Sequence, residues 1–282
     1  MLSGALSLVL VHRVCLSAQK YNINTHLSDV RLPQTAMHMK NEVYDIDALD
    51  SDIQEGVYIL KDVDIMLEKK DSLPDWCANS PVHIYADIAV YDSNALRFTH
   101  GVKICGIDGA SICSQTGMIK DCKGDKAHIV LHNVDIGFDS KKLSSNMAEV
   151  GCGCFLLRDN VCLSCLNGTV LHCNNLQVHD KSQVEAVGQY TLQIADAMIS
   201  GEDLKIFLSE SGEVKEMQSS KRTSVHRGKS SIRGDRMECD GLNLYMYGRT
   251  KMSGEHSKLY QCDYVAIDLR DGSIRANNIK AQ

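Results

Sequence analysis

The residues best suited to chemistry are the cysteines, of which the chain of 282 residues has twelve. Cys152 and Cys154 form a C-x-C pair, Cys162 and Cys165 form a C-x₂-C pair, and Cys173 follows nearby. A C-x₂-C pair is a usual half of a zinc site, although a C-x-C partner is less typical. Disulfides across neighbouring strands, or small buried thiols, explain the same cluster. We treat the two pairs as weak candidate metal ligands and leave these alternatives open.

A locally basic stretch is the second candidate site. It contains Lys221, Arg222, His226, Arg227, Lys229, Arg233 and Arg236. Guanidinium groups pair well with phosphate, so the stretch could contact anionic headgroups. A solvated loop is the simpler interpretation.

Catalytic motifs are absent from the sequence. It contains no H-E-x-x-H, no G-x-S-x-G and no phosphate-binding G-x-x-x-x-G-K-[ST]. The eleven histidines are scattered, whereas acid–base catalysis needs paired groups in one pocket. The net charge of −6 argues against binding to nucleic acid, which favours a basic surface. We therefore expect a protein that is not an enzyme and needs no cofactor.

The elements that must position these residues are short strands. After residue 20 no long segment has a helical period, and alternating stretches such as 57–67, 83–91 and 203–208 are separated by Gly, Asp and Asn. Such runs are typical of an all-β fold.

An internal repeat of about sixty residues organises the second half of the chain. Shifted by that distance, Gly168, Asp180, Gly188, Asp203 and Gly212 fall on Gly228, Asp240, Gly248, Asp263 and Gly272. The copies span 168–222 and 228–282, and a fainter copy upstream needs one extra residue before Gly101, which a β-bulge would accommodate. Repeats of this length indicate stacked units that share one core.

The predicted organisation is a short N-terminal segment followed by two halves. Residues 1–20 begin with an apolar run that ends at Val11 and include a possible cleavage site after Ala18, and they predict an export signal or membrane anchor. However, Arg13 interrupts the apolar run, and an ordinary buried segment is the alternative. The two halves are 21–150 and 165–282, the second containing both repeats.

The C-terminal half carries a pattern of turn residues that resembles a known family. Gly234-Asp235 ends one strand, Gly248 closes the next, and Asp263 leads a strand that ends at the turn Asp271-Gly272. This order resembles the OstA-like domain of lipopolysaccharide-transport proteins of the LptA type. Residues 84–92, 96–101 and 108–112 of the N-terminal half are similar to the related LptC type.

The resemblance implies a folded-over stack of antiparallel strands, described as a β-jellyroll or β-taco. Its apolar interior would shelter the acyl chains of lipopolysaccharide or a similar glycolipid, without catalysis. Its edge strands would pair head-to-tail with other β-jellyroll transport proteins. The implied location is the periplasm of a Gram-negative envelope, with the N-terminal segment as a possible anchor in the inner membrane.

Strand alternation predicts which residues would line such an interior, because every second side chain lies on one face. Leu244, Met246 and Gly248 are expected to share a face. The predicted lipid-binding residues are Leu204, Ile206, Leu208, Leu244, Met246, Val265, Ile267 and Leu269. Burying an acyl chain is worth about 0.8 kcal/mol per methylene.

Two alternatives to this interpretation stay open. The same residues could fill a closed core, as in an exported β-repeat structural or adhesin-like protein without a lipid ligand. The chain's last residues, 274–282, could be an uncapped strand that pairs with another chain, or a frayed tail.

Overall fold

The described residues of the protein form a single antiparallel sheet of twenty strands. The computed structural model describes residues 36–40, 44–67, 81–92, 95–105, 110–120, 128–138, 141–151, 154–165, 168–179, 182–209, 214–254 and 259–281. All regular structure in these ranges is β-strand, which confirms the prediction of an all-β stack of antiparallel strands. The predicted signal or anchor at 1–20 lies outside the described residues.

The strands follow one another along the chain with short connections. Their bounds are β1 Met37–Lys40, β2 Tyr44–Gln54, β3 Val57–Leu67, β4 Val82–Asp92, β5 Ala95–Cys105, β6 Ala110–Lys120, β7 His128–Phe138, β8 Lys141–Gly151, β9 Cys154–Cys165, β10 Val170–Val178, β11 Gln183–Ile194, β12 Ala197–Leu208, β13 Val214–Ser219, β14 Thr223–Arg227, β15 Ser230–Gly234, β16 Arg236–Cys239, β17 Asn243–Ser253, β18 Leu259–Asp268, β19 Ile274–Asn277 and β20 Lys280–Ala281.

The topology is largely a meander, in which most strands pair with the next one along the chain. Strands β1 to β12 pair in sequence order, and the sheet crosses the predicted boundary between the halves through the pairs β8–β9 and β9–β10. Beyond β12 some strands are split in two: β13 and β14 both pair with β12, and β15 and β16 both pair with β17. Within the described ranges no helix is long and apolar enough to span a bilayer.

Most strands change register near their midpoint, and these irregularities line up across the sheet. Examples are the shifts between Thr99 and Val102 in β5, between Ala186 and Gln189 in β11, and between Tyr247 and Thr250 in β17. We call this feature the bend line. Residues with positive φ on it are Asp62, His100, Gly101, Asn133, Asp159, Asn160, Gly188, Asp203, Gly248, Arg249 and Asn278. Bulges bend a strand, so the aligned bulges fold the whole sheet along one line.

The bend line divides the sheet into two arms whose inner faces form one core. Arm A contains Leu60, Phe98, Ile119, Leu157, Leu204 and Leu244, and arm B contains Ile65, Ile104, Ile112, Leu171, Ile199 and Ile232; all belong to a single hydrophobic cluster. Because the described residues include no second sheet or helix to cover these faces, the two arms cover each other.

The structure corrects the expected role of Gly248. Sequence analysis placed this glycine at the end of a strand, on the same face as Leu244 and Met246, but β17 continues through it to Ser253. Gly248 has a φ of 69° and lies on the bend line, where it is exposed. Gly101 likewise lies within β5 rather than at its end. The recurring glycines therefore lie at bends within strands as well as at turns between strands.

Candidate functional site

The eight predicted interior residues lie in arm A of strands β12, β17 and β18, or directly after them. Leu244 pairs with Ile267, and Met246 pairs with Val265, across β17 and β18. Residues paired directly across antiparallel strands place their side chains on the same face of the sheet. The four side chains therefore form one patch, on the inner face of the fold.

Two strands that the sequence analysis overlooked connect this patch to β12. Ile206 pairs with Met217 of β13, Met217 pairs with Cys239 of β16, and Cys239 pairs with Leu244. Met237 of β16 continues the neighbouring row, paired with Met246. The available signal was the alternation of Met237 with Cys239 directly after the Gly234-Asp235 pair.

Arm B supplies the opposite wall, which sequence analysis also missed. Ile199, Val225 and Ile232 are buried and lie in register across β12, β14 and β15. In β18 the inner residues are Val265 and Ile267 in arm A but Cys262 in arm B. The extra residue at each bend reverses the alternation, so a strict period of two fails there.

The inner side chains fill the space between the arms. Leu204, Leu244, Met246 and Val265 are 0% exposed, and Ile267 is 2% exposed. Half-buried apolar residues follow where the arms end, away from the bend line. These rim residues are Tyr58, Tyr91, Val178, Leu208, Val214 and Leu269 in arm A, and Leu143, Leu163, Ile194 and Met252 in arm B.

The inner face is uncovered at both ends of the described sheet. Ile53 of β2 pairs with Tyr58, whose side chain packs against the core, yet Ile53 is 61% exposed. At the other end Ile274 of β19 pairs with buried Ile267 and is 38% exposed. Both isoleucines point to the inner face, so the apolar interior reaches both ends of the stack.

Carboxylates on the bend line pair with neighbouring strands. The N–H of Gly188 donates to Asp203 Oδ1 at 2.7 Å, and Lys221 Nζ lies 2.6 Å from Asp203 Oδ2. The hydrogen bond from Lys221, followed by that from Gly188, lowers the pKa of Asp203 below its usual value. Arg249 Nε donates to Asp235 Oδ2 at 2.9 Å and similarly lowers the pKa of Asp235. These pairs link neighbouring strands at the bend.

Much of the predicted basic stretch is neutralised in the same way. Besides Lys221, Arg227 Nε lies 2.9 Å from Asp196, and Arg236 lies 3.4 Å from Glu238 with its guanidinium 4.8 Å from the ring centre of Tyr247. Ion pairing therefore reduces the positive charge that the stretch could offer to an anionic headgroup.

The cysteine cluster separates along β9. Cys162 and Cys165 are half-buried thiols in arm B, whereas Cys154 begins the strand in arm A. Cys152 lies outside the described residues. No group of three or more His, Cys, Asp or Glu side chains suited to a metal occurs in the described ranges. Cys173, Cys239 and Cys262 are free thiols buried in the interior. This fits the buried-thiol interpretation for Cys173, the one residue of the three that belongs to the predicted cluster.

Comparison with known proteins does not place the chain in a family: no protein-family model and no curated protein matches it. The resemblance to OstA-like proteins stays a prediction, and the function must be argued from the site.

The buried thiols predict a loss of stability at alkaline pH. Burial raises the pKa of Cys173 to about 12 and that of Cys239 to about 11. Unfolded thiols ionise near pH 8.5. The stability gained by burying the neutral thiols is therefore fully present below that pH, and it is lost as the pH rises towards 11 to 12. We expect the free energy of unfolding to fall by up to about 1.4 kcal/mol per pH unit for each thiol.

Denaturant unfolding between pH 8 and 11 would measure this effect. The double variant Cys173→Ala/Cys239→Ala should have a shallower pH dependence than the natural protein. Cys113→Ala, which removes an exposed thiol, should retain the original slope. Equal slopes for all three proteins would contradict the prediction.

Proposed function

We propose that the protein is a non-catalytic carrier that shelters the acyl chains of lipopolysaccharide or a similar glycolipid between the two arms of its sheet. The main support is the continuity of the apolar interior across the strands, from Ile53 at one end to Ile274 at the other. At about 4.8 Å per strand, this interior is roughly 75 Å long, much longer than one acyl chain.

Acyl chains would enter by separation of the arms at their rims. The bend line joins the arms on one side only, so the rims can move apart without breaking the hydrogen bonds between strands. Half-buried Leu208 and Leu269 would meet the chain first, and Met217, Met237 and Met246 would rearrange around it. Methionine suits this role because its unbranched side chain adapts to irregular shapes.

Assembly with similar proteins follows from the ends of the sheet. Ile53 and Ile274 expose the inner face there, and another β-jellyroll adding strands at either end would cover them. Head-to-tail assembly would extend the apolar path in the periplasm. A membrane anchor at 1–20 would attach this path to the inner membrane.

One observation favours the second candidate, an exported β-repeat structural or adhesin-like protein with a closed core. The side chains of Leu204, Leu244, Met246 and Val265 are 0% exposed, so in this conformation the walls fill the interior themselves. A carrier must therefore open to load, whereas a structural protein need not.

Photocrosslinking separates the two candidates. A benzophenone amino acid replaces Leu208 or Leu269 at the rim, and in the control it replaces exposed Lys205, which faces outward from the same strand as Leu208. Expressed in a Gram-negative host and irradiated, the rim variants should yield an adduct detected by a lipopolysaccharide antibody, and the control should not. Mass spectrometry of solvent extracts should find glycolipid in the purified natural protein. Absence of both signals, or equal crosslinking by the control, would refute the carrier proposal.

A further inference from the structure

The outer side of the bend line carries a polar depression between strands β6 and β9. Its volume is about 370 Å³, near the lower end of the range for small-molecule sites. It is lined by Cys113, Ser114, Gln115, Asn133, Val134, Asp135, Ser144, Ser145, Asn146 and Asn160. The depression lies on the opposite side of the sheet from the apolar interior, because Cys113, Asp135 and Ser144 pair across β6, β7 and β8 and are adjacent in sequence to Ile112, Ile136 and Leu143, which lie in the core or pack against it.

The four carboxamides form a row across four consecutive strands. Gln115, Asn133, Asn146 and Asn160 belong to β6, β7, β8 and β9. Asn133 Nδ2 donates to Gln115 Oε1 at 2.7 Å, which fixes the orientation of both amides. Within the described part of the chain, the side chains of Asn146 and Asn160 make no hydrogen bond, so their amide groups are available.

Backbone conformation explains only half of this row. Asn133 and Asn160 have φ of 53° and 55°, and asparagine is favoured in that left-handed region. Gln115 and Asn146 do not have positive φ, so the bend gives no reason for an amide at either position. Elsewhere on the same line, Asp203 with Lys221 and Asp235 with Arg249 form ion pairs, so the bend itself does not require uncharged amides.

The charge and polarity of the lining residues indicate which class of ligand the depression could bind. The lining contains no lysine or arginine, and Asp135 adds a negative charge, which disfavours phosphate and carboxylate ligands. Its single apolar residue, Val134, is buried, which disfavours an acyl chain. Each carboxamide offers two donors and one acceptor group. Sugar hydroxyls, which both donate and accept, complement this arrangement.

We propose that this depression is a binding site for an uncharged oligosaccharide, contacted by Gln115, Asn133, Asn146 and Asn160, with Asp135 and Ser144 accepting further hydroxyl hydrogen bonds. The site is separate from the proposed lipid-binding strands β12, β17 and β18. It would let the protein contact a glycan with its outer surface while its interior holds another ligand.

The test measures binding of the full chain to a printed array of uncharged oligosaccharides, including those with N-acetylated amino sugars. Gln115→Leu and Asn146→Leu change exposed residues without positive φ, so the fold should tolerate both. For the oligosaccharides that the natural protein binds, each variant should have an affinity at least about tenfold weaker. The reason is the loss of a carboxamide that forms hydrogen bonds with sugar hydroxyls. Asn277→Leu, an exposed change on β19, is the matched control and should leave binding unchanged.

A second measurement uses the exposed thiol in the site. Saturating oligosaccharide should slow alkylation of Cys113 by iodoacetamide, with modification followed for each cysteine by mass spectrometry and Cys105 as the internal control. The proposal is overturned if no oligosaccharide binds, if both leucine variants bind normally, or if Cys113 stays unprotected. Lipid crosslinking at Leu208 and Leu269 is a separate measurement. The carrier proposal and the oligosaccharide proposal can therefore fail independently of each other.

Discussion

Replacing Gly117 by alanine is expected to lower the free energy of unfolding by about 3 kcal/mol, at the upper end of the range for an overpacked core. Gly117 pairs with Phe98 on one side and with Leu131 on the other. An added Cβ would overlap the ring of Phe98 and lie 2.9 Å from Leu131 Cδ2. Both neighbours are 0% exposed, so neither side chain can move into solvent.

Denaturant unfolding measures the change, with Gly254→Ala as the control. Gly254 follows β17, has no positive φ, and would place its Cβ more than 4 Å from the neighbouring atoms considered. Adding Phe98→Leu to Gly117→Ala should recover part of the lost stability, because the smaller side chain leaves room for the methyl group. Equal stability of the Gly117→Ala and Gly254→Ala variants would show that the close contact with Phe98 is not part of the native core.

Gly117 illustrates what the sequence could not reveal. The residue interrupts an alternating strand, and alone it reads as a weak point or a turn. Its role depends on Phe98, which lies on the preceding strand, and on the register that places the ring over the glycine. A pairing of this kind becomes visible only when the strand register is known.

The alternation of apolar residues predicted arm A well. Leu244 with Met246 and Val265 with Ile267 were expected on shared faces, and each pair is buried on the inner face. The all-β meander was predictable for the same reason, because short alternating runs separated by Gly, Asp and Asn have few other solutions. The alternation of apolar residues was enough to predict the strands and their buried faces in arm A.

The bend line limited the rest of the prediction. Aspartate and glycine were recognised as recurring at a fixed spacing. However, the sequence does not show whether each of them lies in a hairpin turn or at a bend within a strand. Asp235 lies beside Gly248, whose added Cβ would be 3.2 Å from Asp235 Cβ, so the two residues are matched across strands. The reversed alternation beyond each bend explains why arm B and its residues Ile199, Val225 and Ile232 were not anticipated.

Folding a single sheet onto itself encloses an apolar interior between the two arms. Two packed sheets need two sets of edges, whereas here each long strand from β2 to β12, with β17 and β18, contributes to both walls and one line of bends joins them. Whether water or lipid reaches the interior depends on how readily the rims separate. A charge placed inside the fold measures that accessibility directly.

Replacing Met246 by glutamate is expected to destabilise the protein by about 3 to 5 kcal/mol at neutral pH, because a carboxylate would be buried without a partner. Met246 is 0% exposed, whereas Met198 on the outer face of β12 is 49% exposed, so Met198→Glu makes the same change in contact with water. Met246→Gln separates the effect of charge from that of polarity.

The stability loss caused by Met246→Glu should depend on pH. A buried carboxyl has a folded pKa above its unfolded value of about 4.3. The penalty of Met246→Glu should therefore be smallest below pH 4 and should increase as pH rises through the interval between the two pKa values. Met198→Glu should show little of this dependence. If Met246→Glu were as stable as Met198→Glu at every pH, water would reach the interior freely. The arms would then form an open groove that lipid could enter without separating them.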